Sequence, residues 1–443
     1  MKTDFPAYDQ YRKARLHWLN QIPAHWEENR GKFYFREVDD RAKTGNEELL
    51  SVSHITGITP RSQKNVSMFK AENYGGHKLC QPGDIIINTM WAWMAALGVS
   101  KHTGIVSPAY GMYRPHNNND YNSRYLDYLL RTRAYVSEYI CRSTGIRSSR
   151  LRLYPDKFLA MLFIKPPRDE QDKIVAYLRV QDAHIARFIK IKRELIGLLN
   201  EQKQALIHQA VTKGINPNVK LKPSGVDWLG DIPESWEVKR LKWVCRLKYG
   251  DSLPDNLRVN GDYNVFGSNG VVGTHNIANT LSPCIIIGRK GSFGKINYSN
   301  KNTFAIDTYF VDETCTKGHI RWLYYLLLCC RLDSFSKDSA VPGLDRNDTY
   351  ERRVPFYHYE QQKQIALWID AETAEIDRAI NRVENEILLV LEYRERLITD
   401  AVTGQIDVRN WQPGPDDEVA EPDLSALIAD DELMEEEYED EDN

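Results

Sequence analysis

Cysteine is scarce, with seven among 443 residues: Cys80, Cys141, Cys245, Cys284, Cys315, Cys329 and Cys330. An odd number with no pair at redox or metal-ligand spacing argues against a disulfide-stapled scaffold and for reduced core thiols. The eleven histidines show no His-x-x-His or His-x-x-x-His spacing and join no cysteine cluster, so no metal centre is expected. Long apolar runs are missing too. The longest, Trp322 to Cys330, falls far short of the ~18 residues that a spanning helix needs. Met1 to Arg15 mixes Lys2, Asp4, Arg12 and Lys13 with no apolar stretch, so neither a secretory signal nor a lipid anchor is read there. The expected compartment is the cytoplasm, with no membrane partner.

What is present is ordinary in bulk and uneven in place. Hydrophobic residues make up 42% and charged residues 27%, as in a globular protein of two or three domains. The net charge of −4 hides an asymmetry. Fifteen of the 62 acidic residues lie between Asp416 and Asp442, a stretch with no Lys or Arg; without them 58 basic residues face 47 acidic ones. A basic body with an acidic tail points to a polyanionic partner. The tail, from 405 onward and above all after Pro413, is too acidic to pack and is expected to be disordered.

The chain repeats itself. Trp18-Leu19-x-x-Ile22-Pro23-x-x-Trp26 returns as Trp228-Leu229-x-x-Ile232-Pro233-x-x-Trp236, an offset of 210. Ile85-Ile86-Ile87 returns as Ile285-Ile286-Ile287 (offset 200), and Tyr125-Leu126-x-x-Leu129-Leu130 as Trp322-Leu323-x-x-Leu326-Leu327 (offset 197). A drifting offset is what length changes in surface loops leave behind. The last quarter of each half repeats at a constant 191, from Gln171 and Gln362 to Ala210-Val211-Thr212 and Ala401-Val402-Thr403.

A heptad explains that constancy. In the first half it runs through Val175, Leu178, Asp182, Ile185, Ile189, Lys192, Ile196, Leu199, Lys203, Leu206 and Ala210. In the second it runs through Ala366, Ile369, Thr373, Ile376, Ile380, Val383, Ile387, Val390, Arg394, Leu397 and Ala401. One inserted residue would turn the apolar seam away from its partner. Two long helices are therefore predicted, over 168–213 and 358–404, pairing with each other. The polar seam positions either set the register or sit at a wet edge.

The organisation follows. A first mixed domain covers 1–167 and a second 228–357, with 214–227 as linker. Strands are expected at Leu49–Ser53, Ile85–Thr89, Gly104–Tyr113 and Leu159–Ile164, with a helix near Tyr121–Ile140. Their counterparts are Tyr263–Phe266, Cys284–Gly288, Thr303–Val311 and Arg353–Tyr357, with a helix near His319–Leu332. The fold class is an α/β (α+β) tandem repeat: two globular domains joined by two long antiparallel coiled-coil helices in pseudo-twofold arrangement.

Catalytic signatures are weak. Gly288, Gly291, Gly294 and Lys295 mimic a phosphate loop, but the spacing is wrong and Ile296 stands where Ser or Thr is required, so a turn between strands is the better reading. Ser107-Pro108-Ala109-Tyr110 reads as a strand-entering turn, and Glu237-x-Lys239 lacks the strand-borne aspartate of a nuclease. The chain does not read as an enzyme.

Basic residues gather instead at matched places. Arg142, Arg147, Arg150 and Arg152 surround Ser143 to Ile146; Arg346, Arg352 and Arg353 follow Pro342-Gly343-Leu344. Arginine suits phosphate and guanine alike, so these clusters are candidate DNA-binding loops; a solvated charged loop is the alternative. Arg289 and Lys290, with Lys101 and His102, form a second candidate set, and Arg61 and Lys64 a third. The recurring tryptophans favour packing over base stacking.

Several of these segments resemble the specificity subunit of type I restriction-modification systems. The resemblance is carried by Trp228 through Lys242 with its N-terminal echo, by the run from Ile285 to Gly294, and by the helix beginnings at Pro167–Gln171 and Tyr357–Gln362. It covers nearly all of the chain but the acidic tail. It implies two target-recognition domains, each reading one half of a split DNA sequence, and two spacer helices that dock two modification subunits. It also implies that the chain itself has no active site and no cofactor. S-adenosylmethionine, ATP and Mg2+ would belong to the modification and restriction subunits. The first half departs from the second in its loop, Asn88-Thr89-Met90-Trp91 against Gly288-Arg289-Lys290-Gly291. A stand-alone nuclease or methyltransferase, or a coiled-coil adaptor without its own readout, are the competing readings.

Overall fold

Three isoleucines lie at the centre of each half. Ile85, Ile86 and Ile87 form a strand with every side chain buried, and so do Ile285, Ile286 and Ile287 within Cys284–Ile287. An uninterrupted apolar strand requires cover on both faces, because successive side chains point opposite ways. Both halves meet that requirement in the same manner. Ile85 and Ile87 join the main core with Tyr125 and Leu129, while Ile86 joins a second cluster with Leu50, Val52 and Met112. Ile285 and Ile287 pack with Leu323 and Leu326, while Ile286 packs with Phe266 and Cys284.

The computed structural model describes residues 6–54, 56–63, 74–145, 151–334, 343–415 and 417. The chain divides into two units, Met1–Arg193 with Glu384–Asn443, and Glu194–Val383. Each unit holds an antiparallel four-stranded sheet of matching design. In the first the order is Phe35–Glu37, Gly111–Pro115, Ile85–Ile87, Leu97–Val99. In the second it is Lys248–Tyr249, Tyr309–Asp312, Cys284–Ile287, Ile296–Ser299.

Several expected elements are shorter or divided. The helix expected over 121–140 is two, Ser123–Leu130 and Arg133–Arg142, separated at Arg131–Thr132. The strand expected over Gly104–Tyr113 breaks at the Ser107-Pro108-Ala109 turn into Gly104–Val106 and Gly111–Pro115. Pro155 starts a short helix, Pro155–Leu159, which delays the next strand to Leu162–Lys165. In the second half the strand expected over Thr303–Val311 likewise splits into Phe304–Ala305 and Tyr309–Asp312.

Two other boundaries need correction. The segment read as linker contains Leu221–Pro223, a strand paired with Asp231–Pro233 as Tyr11–Lys13 pairs with Gln21–Pro23. The repeat thus begins earlier than the tryptophan motif. The expected tail also begins later than 405: Ile406 and Val408 are buried in the first unit's core, and Trp411 stands edge-on to Tyr177 at 5.4 Å. Alternating apolar residues after Gly404 carry this packing; the acidic run from 418 lies outside the described residues.

The long helices are Arg168–Lys213 and Tyr359–Val402. Gln171 and Gln362, the first marks of the constant offset, tie each helix to the domain before it. Gln171 donates to the carbonyls of Asp120 and Pro166 and accepts from Asn122 N–H. Gln362 donates to Tyr357 O and accepts from His319 N–H. Seam residues Leu178, Ile185, Ile189, Ile369, Val383, Ile387 and Leu397 are buried, and Ile196, Leu199, Leu206, Ile376, Ile380 and Val390 are half-buried. Half-burial is what two helices without a third neighbour provide. Within the first unit Asp182 pairs with Arg394 and Lys192 with Glu386, so one helix ascends as the other descends. Within the second, Lys203 pairs with Asp377.

Candidate nucleic-acid interface

Each central hairpin ends in a loop, and in both units that loop is bonded to the arginine-bearing segment much later in sequence. In the first, the loop 88–96 joins Ile85–Ile87 to Leu97–Val99, and Thr89 O accepts from Leu153 N–H at 3.0 Å. Beside it Arg152 pairs with Thr144 through its backbone and reaches Met90 Sδ with its guanidinium. In the second, the loop 288–295 joins Cys284–Ile287 to Ile296–Ser299, and Arg289 O accepts from Leu344 N–H at 2.9 Å. Lys290 bridges Gly343. Two segments far apart in the chain thus form one surface in each unit, built on the same backbone contact.

The tips of these loops differ. The first presents Thr89 and Met90. The second presents Lys290, exposed, and Arg289, whose guanidinium stacks 4.7 Å from the Tyr249 ring and donates from Nε to Asp307 O. Such stacking holds the arginine in one direction at low entropic cost. Tyr249 belongs to a strand well upstream, and no local sequence signal marks it. The glycines have a turn geometry: Gly291 and Gly294 have φ of +65° and +74°, and a Cβ on Gly294 would lie 2.3 Å from Asp333 N. The next element is a strand, not a helix, so this is the turn that the spacing suggested.

The remaining candidates scatter. Arg142 ends its helix in an ion pair with Glu138 at 2.5 Å. Arg346 is exposed at the start of the helix Arg346–Glu351. Arg352 is structural: half-buried, it donates to Cys330 O at 2.6 Å, while its own carbonyl accepts from Leu241 N–H. Arg353 belongs to the strand Arg353–Phe356, and its carbonyl accepts from Trp228 Nε1. Both line a cavity of about 510 Å³ that also holds Asp227, Asp345, Asp348 and Glu351, carboxylates that disfavour phosphate. Lys101 and His102 sit in the turn beyond Ser100, which pairs with Asp84 at the end of the hairpin opposite the 88–96 loop. They are therefore not equivalent to Arg289 and Lys290. Arg61 is half-buried at the end of the strand Gly57–Pro60. Lys64, Arg147 and Arg150 lie outside the described residues.

The inner tryptophans pack. Trp26 and Trp236 are fully enclosed, with Nε1 donating to Glu170 and Gln361. Trp18, by contrast, is exposed, and Trp228 borders the cavity. Among the described residues no three His, Cys, Asp or Glu side chains gather as metal ligands, and no helix is long and apolar enough to cross a membrane.

Comparison with known proteins places the chain, though not this surface, among known folds and domains. Residues 233–388 match the family model of the type I restriction modification DNA specificity domain. The type I restriction enzyme MjaVIII specificity subunit of Methanocaldococcus jannaschii is 23% identical over 338 residues, covering 65% of this chain and 71% of the relative. A second subunit of that organism, MjaX, is 23% identical over 328 residues, covering 67% and 71%. A chain from a structure described as the basis of complex assembly and conformational transition of the type I R-M system aligns with a TM-score of 0.59 at 14% identity, over 87% of this chain and 99% of that one, which shows the fold. The class is that of DNA-specificity proteins made of two like domains, each followed by a long helix. Residues 233–388 carry the DNA specificity domain of type I restriction modification, and the chain as a whole is similar to the specificity subunits of those systems.

Proposed function

We propose that each domain of this subunit reads one half of a split, asymmetric duplex target, through the surface where the hairpin loop meets the arginine-bearing segment. One observation carries the reading: the same loop-to-segment bond is built twice, on matching sheets, with unlike side chains at the tips. A common scaffold with different tips suits two unlike half-sites.

The long helices set the spacing and dock two modification subunits. In the first unit Phe188 and Ile191 on one helix and Leu388 and Leu389 on the other are exposed, apolar positions beyond the seam that suit partner helices. Catalysis, S-adenosylmethionine, ATP and Mg2+ belong in this reading to the modification and restriction subunits, with none held by this chain.

Co-expression with the modification subunit and mapping of adenine methylation test it. A split methylated motif that vanishes when this chain is omitted is the expected result. A stable complex without methylation would favour an adaptor, and methylation indifferent to this chain would sink the reading.

A further inference from the structure

A second basic surface recurs in both halves, away from the loop tips. Arg30-Gly-Lys32-Phe33-Tyr-Phe-Arg36 lies at the tryptophan offset of 210 from Arg240-Leu-Lys242-Trp243-Val-Cys-Arg246. Burial repeats position by position: the three cations and the aromatic are exposed, and the three residues between them are buried. Phe33 is 64% exposed and Trp243 74%. Each segment contains a one-turn helix, Gly31–Phe33 or Leu241–Trp243, anchored by its buried first residue. A Cβ on Gly31 would lie 2.8 Å from the Phe163 ring, so the backbone is pressed onto the core while Lys32 and Phe33 face water.

A lone exposed aromatic needs no explanation. An exposed aromatic flanked by the same three cations, at the same register of two diverged halves, calls for a shared ligand. Among the described residues no ion pair ties Arg30, Lys32, Arg36 or Arg246. Protein interfaces enrich Arg but are depleted of Lys around their aromatic anchors, whereas a cluster that combines Arg and Lys is what phosphates attract. Position agrees. Gly31–Phe33 packs against Pro155–Leu159, and Leu241–Trp243 against Arg346–Glu351, in each case the short helix just after the leucine, Leu153 or Leu344, whose N–H bonds the hairpin loop.

We propose that these elements are a duplicated clamp for the phosphate backbone of duplex DNA, one in each domain, which holds the duplex without reading its sequence. The proposal rests on the DNA-specificity reading above. Sequence neutrality follows from the repetition, since the clamp is alike in the two domains where the loop tips are not. The second clamp is partly neutralised: Glu351 pairs with Arg240 at 2.9 Å and with Lys242 at 2.7 Å, and these cations hold its carboxyl below the usual range.

The test uses the full chain assembled with its modification subunits, titrated with a duplex carrying the methylated motif and with a scrambled duplex over a salt series. Arg30→Gln, Lys32→Gln and Arg36→Gln combined should flatten the slope of log affinity against log salt by about 0.9 for each phosphate that is no longer neutralised. Affinity for both duplexes should fall by the same factor, with the methylated motif unchanged. Glu351→Gln should steepen the slope, and Phe33→Ala and Trp243→Ala should weaken both duplexes alike. Unchanged slopes overturn the clamp. So does loss of the modification subunits with slopes intact, which would assign the surface to a protein partner, or an altered motif, which would make it a base reader. A wild-type complex that does not prefer the motif sinks the specificity reading instead, and the slope difference still decides the clamp.

Discussion

Asp182 and Arg394, 212 residues apart in sequence, meet across the long-helix pair with Oδ1 2.7 Å from Nε. Both occupy seam positions. Tyr128 donates its hydroxyl to the other oxygen, so the carboxylate, itself only 1% exposed, is served from both sides. Burial alone would lower the Arg394 pKa, but the charge and hydrogen bond of Asp182 outweigh it and hold the guanidinium above its ordinary value. Asp182→Ala should destabilise the protein by about 3 kcal/mol, because it leaves a largely desolvated cation without its partner. The denaturation midpoint measures this. Asp182→Ala combined with Arg394→Ala should lose less than the two single changes together.

Each long helix ends on a glycine that closes over a tryptophan of the repeated motif. Gly214, with φ of +80°, would place a Cβ 3.3 Å from the Trp236 ring. Gly404, with φ of +73°, would place one 2.4 Å from Pro23 Cδ and 3.0 Å from the Trp26 ring. A left-handed C-terminal residue costs a side chain about 1 kcal/mol by itself, and at Gly404 rigid proline atoms add to it. Gly404→Ala should therefore lower the melting temperature more than Gly214→Ala, by a margin that calorimetry resolves.

How far the sequence could be read depends on how each signal is encoded. The helices were legible to within one or two residues because a heptad is a long, local, periodic pattern. Ile85–Ile87 and Ile285–Ile287 were legible because burial on both faces leaves no polar residue in the run. The candidate interface was half legible. Arg152, Arg289, Lys290 and Arg346 announce themselves by charge, but the bond from Leu344 N–H to Arg289 O uses backbone atoms that no side-chain pattern records. Arg352 was misplaced for the converse reason: its charge is visible in sequence, its use on Cys330 O is not. Glu351 and Tyr249 act through neighbours distant in the chain and gave no signal.

Cys141, exposed beside Arg142, is a reporter for the proposed face of the first domain. Cys245 and Cys330 are buried, and burial pushes the Cys330 thiol up to about 12, so neither reacts readily at neutral pH. A maleimide should label Cys141 in the native chain and leave those two untouched. A duplex carrying the methylated motif should slow the labelling of Cys141 in the assembled complex, and mass spectrometry of the labelled peptide reads the difference. Labelling at the same rate with and without duplex would move the contact surface elsewhere.

The spacing role of the helices is tested by length. Four residues inserted near Glu194 extend a helix by about 6 Å and rotate its C-terminal portion by about 40°. Glu194 lies between Lys192, paired with Glu386, and Lys203, paired with Asp377, so the insertion opens a register that both ion pairs specify. The seam can re-form only if the opposite helix shifts by a turn, and stability should fall as a result. If the helices measure the target, the gap between methylated half-sites should lengthen by about one or two base pairs, at roughly 3.4 Å per base pair. Each half-site should keep its bases, since the loop tips at Thr89–Met90 and Arg289–Lys290 are untouched. Methylation mapping reads both quantities at once. An unaltered gap would show that the helices dock partners without setting distance, and altered bases would show that the helix pair positions the loops that read them.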